Sequence, residues 1–409
     1  MAPRSLVDTP GANGRHPADP AAAAGPGTAG SAGSGVAGSD DDVASALDDG
    51  SAAAHAELDR VPLPGLVLRL PAGPSWSTRV DGRAVLVTLV VMTATLAVFV
   101  WSLTVGDYPL PVGDVVRSLL GDQEGGSHFI VWTLRLPRGL TAVLVGAAFG
   151  LSGAIFQRLV RNPLASPDIV GVNAGAAMVA AYVVIVMNES GLQVTIGALI
   201  GALASAFAVY ALAYRRGISG YRLVLVGIGV SAFLLAATEF LLTRGEIYEV
   251  QRAVVWLTGS LNGRSWDHVR PVSWALAVLL PAALILARQL RLLELGDDLA
   301  RSLGGRVERT RALLLLVGVC LAATATAAAG PVAFVALAAP QIARRLVRGT
   351  SLGLLPATAC GALLMVGADL IGRRLFAPTE LPVGVITGVV GAPYLLYLLA
   401  RSNRVGTGG

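Results

Sequence analysis

Ten apolar segments of bilayer-spanning length make up most of the chain beyond residue 83. A helix of about 20 apolar residues crosses the hydrocarbon core of a membrane, and it satisfies its own backbone hydrogen bonds there. The sequence therefore predicts an all-α polytopic membrane protein. The eighth segment is short and begins at Pro331, which predicts a tilted or partly re-entrant helix. The segments are 84–104, 139–160, 170–187, 193–214, 221–243, 271–290, 311–329, 331–347, 352–372 and 383–400.

The overall composition agrees with a membrane protein and argues against a nucleic-acid partner. Hydrophobic residues make up 54% of the chain and charged residues 14%, whereas about a quarter of the residues of a soluble domain are charged. The net charge is +5, but the 31 basic residues are all arginine and are spread over short loops. Arginine in short loops is the signal that orients membrane helices. We therefore expect contact with membrane lipid and none with nucleic acid.

The arginines also predict which loops face the cytoplasm. With the N-terminus inside, sixteen arginines lie in the inner loops and the C-terminal segment, and nine lie in the outer loops. Because cytoplasmic loops carry the excess of basic residues, both termini are predicted to be cytoplasmic. The inner arginines lie near 158–161, 215–222, 288–311, 344–348 and 401–404, and the outer ones near 117–138, 244–270 and 373–374.

The first part of the chain has a different composition from the rest. Residues 1–80 are rich in Ala, Gly, Ser, Pro and Asp. Such a segment buries too little apolar surface to offset the entropy lost on ordering, so we expect a disordered low-complexity cytoplasmic tail. The transmembrane domain is then expected to cover residues 81–402, followed by a short C-terminal tail, 403–409.

The predicted spans contain few groups that could drive transport by themselves. Asp369 and Glu239 are the only acidic residues well inside the spans, and the four histidines lie outside them at wide separations. No metal-ligand spacing connects these histidines, so we expect no metal site. Ion-coupled carriers usually need intramembrane carboxylates or bases. A secondary carrier would show such groups, or broken helices in corresponding halves, and it is the alternative from another functional class.

The longest inner loop contains a short amphipathic pattern. In "LGDDLARSLG", residues 295–304, Leu295, Leu299 and Leu303 recur every four residues, and a glycine near each end can open or close a helix. An exposed apolar stripe on the cytoplasmic face fits a groove on a partner protein. The alternative is a helix that lies on lipid headgroups, which the two aspartates beside the stripe disfavour.

Four dispersed motifs give the chain a family resemblance. They are "LRLPRGLTAVLVGAAFGLSGAIFQRLVRNPLASPDIVGVNAGA", "LGDDLARSLG", "GPVAFVALAAPQIARR" and "ELPVGVITGVVGAPYLLYLL", in this order. In these motifs the chain resembles the FecCD family of ABC-transporter permeases, which import iron–siderophore complexes, haem or cobalamin. The resemblance covers roughly residues 84–402. It implies a type II ABC importer permease fold with ten transmembrane helices per subunit.

The resemblance also implies several partners. Two copies of an ABC ATPase subunit would lie below a pair of permease subunits, and an extracytoplasmic siderophore-binding protein would lie above them. ATP and Mg would bind to the ATPase, because a GxxxxGK[ST] loop requires a lysine and this chain has none. The chain itself is expected to bind no cofactor and to be no enzyme. Both a homodimer and a heterodimer of permeases stay open.

By the same resemblance, the amphipathic segment is the coupling helix that fits a cleft of the ATPase. Its matching residues are Leu295, Gly296, Asp297, Ala300, Leu303 and Gly304.

The stretch "QRLVRNPLASPDIVGVNAGA", residues 157–176, interrupts the apolar pattern with two prolines. Proline ends a helix and restricts the residue before it, and irregular backbone at membrane depth occurs only where protein buries it or water lines it. The resemblance implies a cytoplasmic gate here, whereas the residues alone fit a plain interhelical turn. The expected gate and path residues are Gln157, Asn162, Leu164 and Asn173.

A second gate is implied at the start of the fifth segment, where the chain departs from the family pattern. Relatives place small hydroxyl residues there, but this chain has Gly220 and Tyr221. The bulk of Tyr221 leaves the geometry of this gate open.

Four outer arginines match positions at which family members dock the binding protein. Exposed Arg–carboxylate pairs steer approach and set register, although each contributes only about 0–1 kcal/mol. The alternative is that these arginines simply extend to the membrane interface. They are Arg135, Arg138, Arg373 and Arg374.

Together these features predict an importer permease for ferric siderophores in the cytoplasmic (inner) membrane. Import of haem or cobalamin by the same kind of permease is the alternative substrate assignment.

Overall fold

The computed structural model describes residues 66–69, 77–106, 108–121, 126–214, 220–348 and 353–406, with only the backbone described for 66–69, 77–80 and 397–406. The chain divides into two compact units, Met1–Leu63 and Pro64–Gly409. The first unit lies outside the described residues, as does most of the predicted tail.

A small β-hairpin precedes the helices. Strand β1 (Leu66–Arg69) pairs antiparallel with β2 (Ser77–Val80), so that Leu66 lies opposite Val80. The hairpin lies inside the segment 1–80, for which the average composition predicts disorder. The local composition is different, because "LVLR" and "STRV" contain the aliphatic and β-branched residues that favour strands. An average over 80 residues hides this change.

Each of the ten predicted spans coincides with a helix. Seven helices are long and apolar enough to cross a membrane, counted over the described residues. Two further helices, α4 and α13, have shorter apolar parts, and α11 is a short helix of 13 residues with two arginines in its last turn. The ten are α1 (Gly82–Thr104), α3 (Gly126–Leu159), α4 (Val172–Ile185), α5 (Leu192–Ala213), α6 (Gly220–Arg244), α8 (Trp266–Glu294), α10 (Val307–Ala329), α11 (Val335–Val347), α12 (Leu354–Arg374) and α13 (Val383–Gly406).

Short helices lie in the connections, and some boundaries differ from prediction. They are α2 (Val112–Leu119), α7 (Ile247–Leu257) and α9 (Asp297–Ser302). The eighth span becomes helical only at Val335, because Gly330 and Phe334 have positive φ angles and Pro331 lies between them. At the other end, α13 continues to Gly406, so the predicted C-terminal tail 403–409 is helical in its first part.

Helix α3 is the centre of the bundle. In its most apolar window 83% of the residues are buried, against 11% in α1. It crosses α12 closely, because a Cβ added at Gly146 would lie 2.3 Å from the carbonyl oxygen of Gly361. Helices α4 and α5 approach in the same way, with Gly175 and Gly201 at the crossing. Small residues permit such close contacts between membrane helices.

Ion pairs identify the two ends of the bundle. At one end, Arg158 of α3 pairs with Glu294 of α8. At the other end, Arg138 of α3 pairs with Asp369 of α12. The first end gathers the loops that the arginine count assigns to the cytoplasm, and the second gathers the outer loops. The packing therefore agrees with the alternation of the ten predicted spans.

Candidate transport path and coupling surface

The polar stretch after α3 folds into a compact turn that re-enters the bundle. Arg161 has a positive φ angle of 55°, and the Asn162 side chain accepts a hydrogen bond from the Leu164 amide at 2.9 Å. A 3-10 turn, Pro167–Val170, follows and ends at Gly171 with φ 71°. Asn162 and Leu164 are both exposed, at the end of the bundle that the arginine count assigns to the cytoplasm.

This turn reaches membrane depth. A Cβ added at Gly227 of α6 would lie 1.6 Å from the carbonyl oxygen of Ile169. Gly227 lies seven residues into α6, which is about 10 Å along the helix axis. Irregular backbone therefore lies well inside the bundle, an arrangement found where protein buries the backbone or a cavity adjoins it.

A cavity of about 400 Å³ adjoins the turn. Asn173, an expected path residue, lines it, and its side-chain oxygen accepts a hydrogen bond from the Thr326 hydroxyl at 2.7 Å. The other polar side chains of the lining were not predicted as site residues. They are Asp168, Ser231, Thr238 and Glu239. The sequence could have indicated two of them as site residues. Asp168 lies in the stretch that interrupts the apolar pattern, and Glu239 is an acidic residue inside a span.

Gln157 is buried in the structure, and its role in the path stays a prediction. It was expected to line the path, but it is only 4% exposed. Its amide donates to the Leu337 carbonyl at 3.0 Å, and its oxygen accepts from Gln341 at 2.7 Å. Gln341 also donates to the Pro163 carbonyl. A buried side-chain amide needs hydrogen-bond partners, and Gln157 finds them in α11. The Gln157–Gln341 pair thereby connects the turn with α11, and Gln157 does not line the cavity.

The expected second gate lies beside the end of α3. A Cβ added at Gly220 would lie 3.7 Å from a methyl group of Val160. Tyr221, by contrast, is 79% exposed and does not line the described cavity. The structure therefore brings the backbone at Gly220 next to the turn that follows α3. The Tyr221 side chain lies away from the cavity.

The predicted coupling segment forms the short helix α9 with an exposed apolar stripe. Leu295, Leu299 and Leu303 are 58%, 48% and 58% exposed, whereas Ala300 is fully buried beneath them. Gly296 and Gly304 have φ angles of 117° and 78°, conformations that a residue with a Cβ rarely adopts. The two glycines thus allow the sharp bends that project α9 from the ends of α8 and α10.

Asp297 connects α9 to two other elements. Its carboxylate accepts hydrogen bonds from Arg311 of α10 at 2.9 and 3.0 Å, and it lies 3.4 Å from the Arg161 guanidinium. Arg161 also donates to the Leu293 carbonyl at the end of α8. A displacement of α9 would therefore pull on the turn that contains Asn162 and Leu164.

Three of the four arginines predicted to dock a binding protein are engaged inside the subunit. Arg135 is 8% exposed and donates to the backbone carbonyls of Leu103 and Tyr108. The Arg138 and Arg373 side chains are 13% and 8% exposed.

Arg138 and Arg373 share one carboxylate. They pair with Asp369 at 2.9 and 3.1 Å, and Arg138 also pairs with Glu380 at 2.9 Å. The guanidinium groups of these buried arginines already have partners in the subunit, and docking through them stays a prediction. Arg374 is exposed.

No group of three or more His, Cys, Asp or Glu side chains that could hold a metal ion occurs in the described part of the chain.

Comparison with known proteins decides the family. Residues 94–401 match the sequence profile of the FecCD transport family. The chain belongs to this family. It is accordingly a multi-pass membrane transport protein. Its FecCD region includes the turn of residues 161–171, α9 and the outer ion-pair cluster of Arg138, Asp369, Arg373 and Glu380.

Two relatives resemble this FecCD permease over nearly their whole length. The ferric enterobactin transport system permease protein FepG of Escherichia coli is 42% identical over 325 residues, which cover 80% of this chain and 98% of FepG. The achromobactin transport system permease protein CbrC of Dickeya dadantii is 45% identical over 331 residues, which cover 79% and 92%.

A solved structure has the same fold. It shows an inward-facing conformation of an ABC transporter that is described as the metal-chelate type. The TM-score is 0.68 at 26% identity, and the match covers 78% of this chain and 99% of the solved chain. The predicted helical permease fold of the transmembrane domain is confirmed.

Proposed function

We propose that this FecCD permease is the transmembrane subunit of an ABC importer that moves ferric siderophores across the cytoplasmic membrane into the cell. The observation that carries the substrate class is the identity of 42–45% to FepG and CbrC, which are named as permeases for ferric enterobactin and achromobactin. The matched region includes every element of the candidate path.

The cavity beside the 3-10 turn supports a path, because several polar side chains interrupt its largely apolar lining. Asn173 and Ser231 offer hydrogen-bonding groups, Asp168 and Glu239 add two carboxyl groups, and the cavity has no metal-ligand cluster among the described residues. Weak binding suits a path, because a tight site would hold its substrate back. In this proposal Asn162 and Leu164, with the backbone at Gly220, form the cytoplasmic gate.

The ATP hydrolysis that would drive transport is assigned to a partner chain. Two copies of an ABC ATPase would bind ATP and Mg, and each would receive the leucine stripe of α9 in a cleft. Movement of α9 would then reach the gate turn through Asp297 and Arg161. A second permease subunit and an extracytoplasmic siderophore-binding protein would complete the importer, with the chain itself binding no cofactor and catalysing no reaction.

Uptake in a strain that lacks this permease tests the proposal. Complementation with the chain should restore uptake of a radio-iron-labelled siderophore and growth on that siderophore as sole iron source. Restoration of haem or cobalamin use alone would overturn the substrate assignment. Uptake that persists when the partner ATPase carries an inactive ATP site would favour the secondary carrier instead.

A further inference from the structure

Two groups of arginines at the cytoplasmic end differ in their pairing. One group is paired within the chain: Arg158 with Glu294, Arg161 and Arg311 with Asp297, and Arg301 with Asp298. The other group consists of Arg288, Arg306 and Arg309, which are exposed and make no ion pair or side-chain hydrogen bond with another described residue. The second group therefore presents uncompensated positive charge.

These three arginines line one cavity. It measures about 630 Å³ and lies between the ends of α8 and α10 and the loop after α9. Its other polar side chains are Gln289 and Thr310, and no carboxylate belongs to its described lining. Several guanidinium groups around one space bind phosphate strongly, because each offers parallel N–H donors to the oxygens.

The first turn of α10 adds to the attraction for an anion. This helix begins at Val307, beside the cavity, and Arg306 at its N-cap makes no side-chain hydrogen bond to the free amides. The first amides of a helix carry partial positive charge and lack partners within the helix. The arginines and the helix end thus act on the same space.

Apolar side chains continue from the cavity toward the membrane. Leu313 lines the cavity and is 37% exposed, and Leu316 lies about one turn further along α10 and is 57% exposed. On α8, Ile285 is 63% exposed next to the lining residue Leu286. A ligand that fits this surface has an anionic head and an apolar tail.

We propose that the cavity binds the phosphate headgroup of an anionic phospholipid from the cytoplasmic leaflet. Basic pockets between transmembrane helices on this side of a membrane suit such headgroups. The cavity also touches Leu303 and Gly304 at the end of α9. The bound lipid therefore supports the position of α9, and the ATPase activity of the assembled importer depends on anionic lipid. The binding itself is independent of the transported substrate.

The test uses the assembled permease–ATPase complex purified from membranes. Native mass spectrometry would measure phosphatidylglycerol retained after exchange into a neutral detergent. The double variant Arg288→Gln, Arg309→Gln should retain about tenfold less phosphatidylglycerol than the wild type, since each arginine contributes to the attraction for the headgroup. The matched control, Arg291→Gln with Arg348→Gln, removes equal charge at exposed positions outside the cavity and should retain lipid like the wild type.

Reconstitution supplies a second readout, the dependence of ATPase activity on anionic lipid. In nanodiscs, wild-type ATPase activity should be several-fold higher with phosphatidylglycerol than with phosphatidylcholine alone, and the cavity variant should lose this difference. Equal retention and equal activity in all proteins would overturn the proposal. Binding of inorganic phosphate that depends on the same arginines and displaces no lipid would show a soluble-anion site instead. Loss of the ATPase from the cavity variant, with lipid retention unchanged, would show that these arginines contact the ATPase.

Discussion

Arg138 of α3 and Asp369 of α12 form an ion pair of 2.9 Å across 231 residues of sequence, with side chains only 13% and 4% exposed. Arg373 and Glu380 complete the cluster at the outer end of the bundle. The two positive and two negative groups balance, which a buried set of charges requires. This cluster ties α3, α12 and the loop before α13 together.

We expect Asp369→Asn to destabilise the permease strongly. The change leaves Arg138 and Arg373 with Glu380 as their only carboxylate partner in the described cluster, and removing one partner of a buried pair costs about 3 to 5 kcal/mol. The midpoint of thermal unfolding in detergent should be lower. The abundance of the protein in the membrane should be reduced as well. Arg374→Gln, which alters the exposed neighbour, is the control and should leave the midpoint unchanged. An equally stable Asp369→Asn protein would contradict the structural role of the cluster.

Docking of a binding protein is predicted to involve Arg374 at the outer face. Arg374→Glu should weaken the affinity for the siderophore-loaded binding protein by about twofold to fivefold, because exposed pairs contribute only about 0–1 kcal/mol each. The basal ATPase activity should not change. Surface plasmon resonance on the reconstituted importer would measure the affinity. An unchanged affinity over a range of salt concentrations would show that docking uses other residues.

The leucine stripe of α9 is predicted to hold the ATPase. Leu303→Asp would place a charge where an apolar contact is expected, and its desolvation costs several kcal/mol unless it is paired. The ATPase should no longer co-purify, and uptake should stop while the permease stays folded and inserted. Ser302→Asp adds the same charge to the adjacent exposed position and should have little effect. Retention of the ATPase with normal uptake in the Leu303→Asp protein would disprove the coupling assignment.

Asp297→Asn is predicted to separate ATP hydrolysis from transport. The substitution removes the charge that holds Arg161 and Arg311, so movement of α9 no longer reaches the gate turn efficiently. We expect uptake to fall by about tenfold, equivalent to about 1.4 kcal/mol of lost coupling, while the ATPase stays bound and active. Asp298→Asn is the matched control, since the Asp298 side chain is fully exposed. A parallel loss of ATPase binding would show that Asp297 acts in docking instead.

The sequence predicted the features that depend on local chemistry. Each membrane span coincides with a helix, because backbone polar groups in lipid must be satisfied within their own segment. The amphipathic stripe of α9 was visible from the spacing of Leu295, Leu299 and Leu303, since helix periodicity alone puts them on one face. The breaks at Pro163 and Pro167 were visible for the same local reason.

Only the tertiary structure decided which polar side chains find partners inside the subunit. From the sequence alone, Arg138 is a candidate for docking and Gln157 a candidate for the path. In the structure Arg138 pairs with Asp369 and Gln157 with Gln341, and both partners come from helices distant in sequence. Low dielectric and the absence of water make such pairing necessary for a buried group. The identity of the partner depends on how the helices pack, which no local pattern encodes.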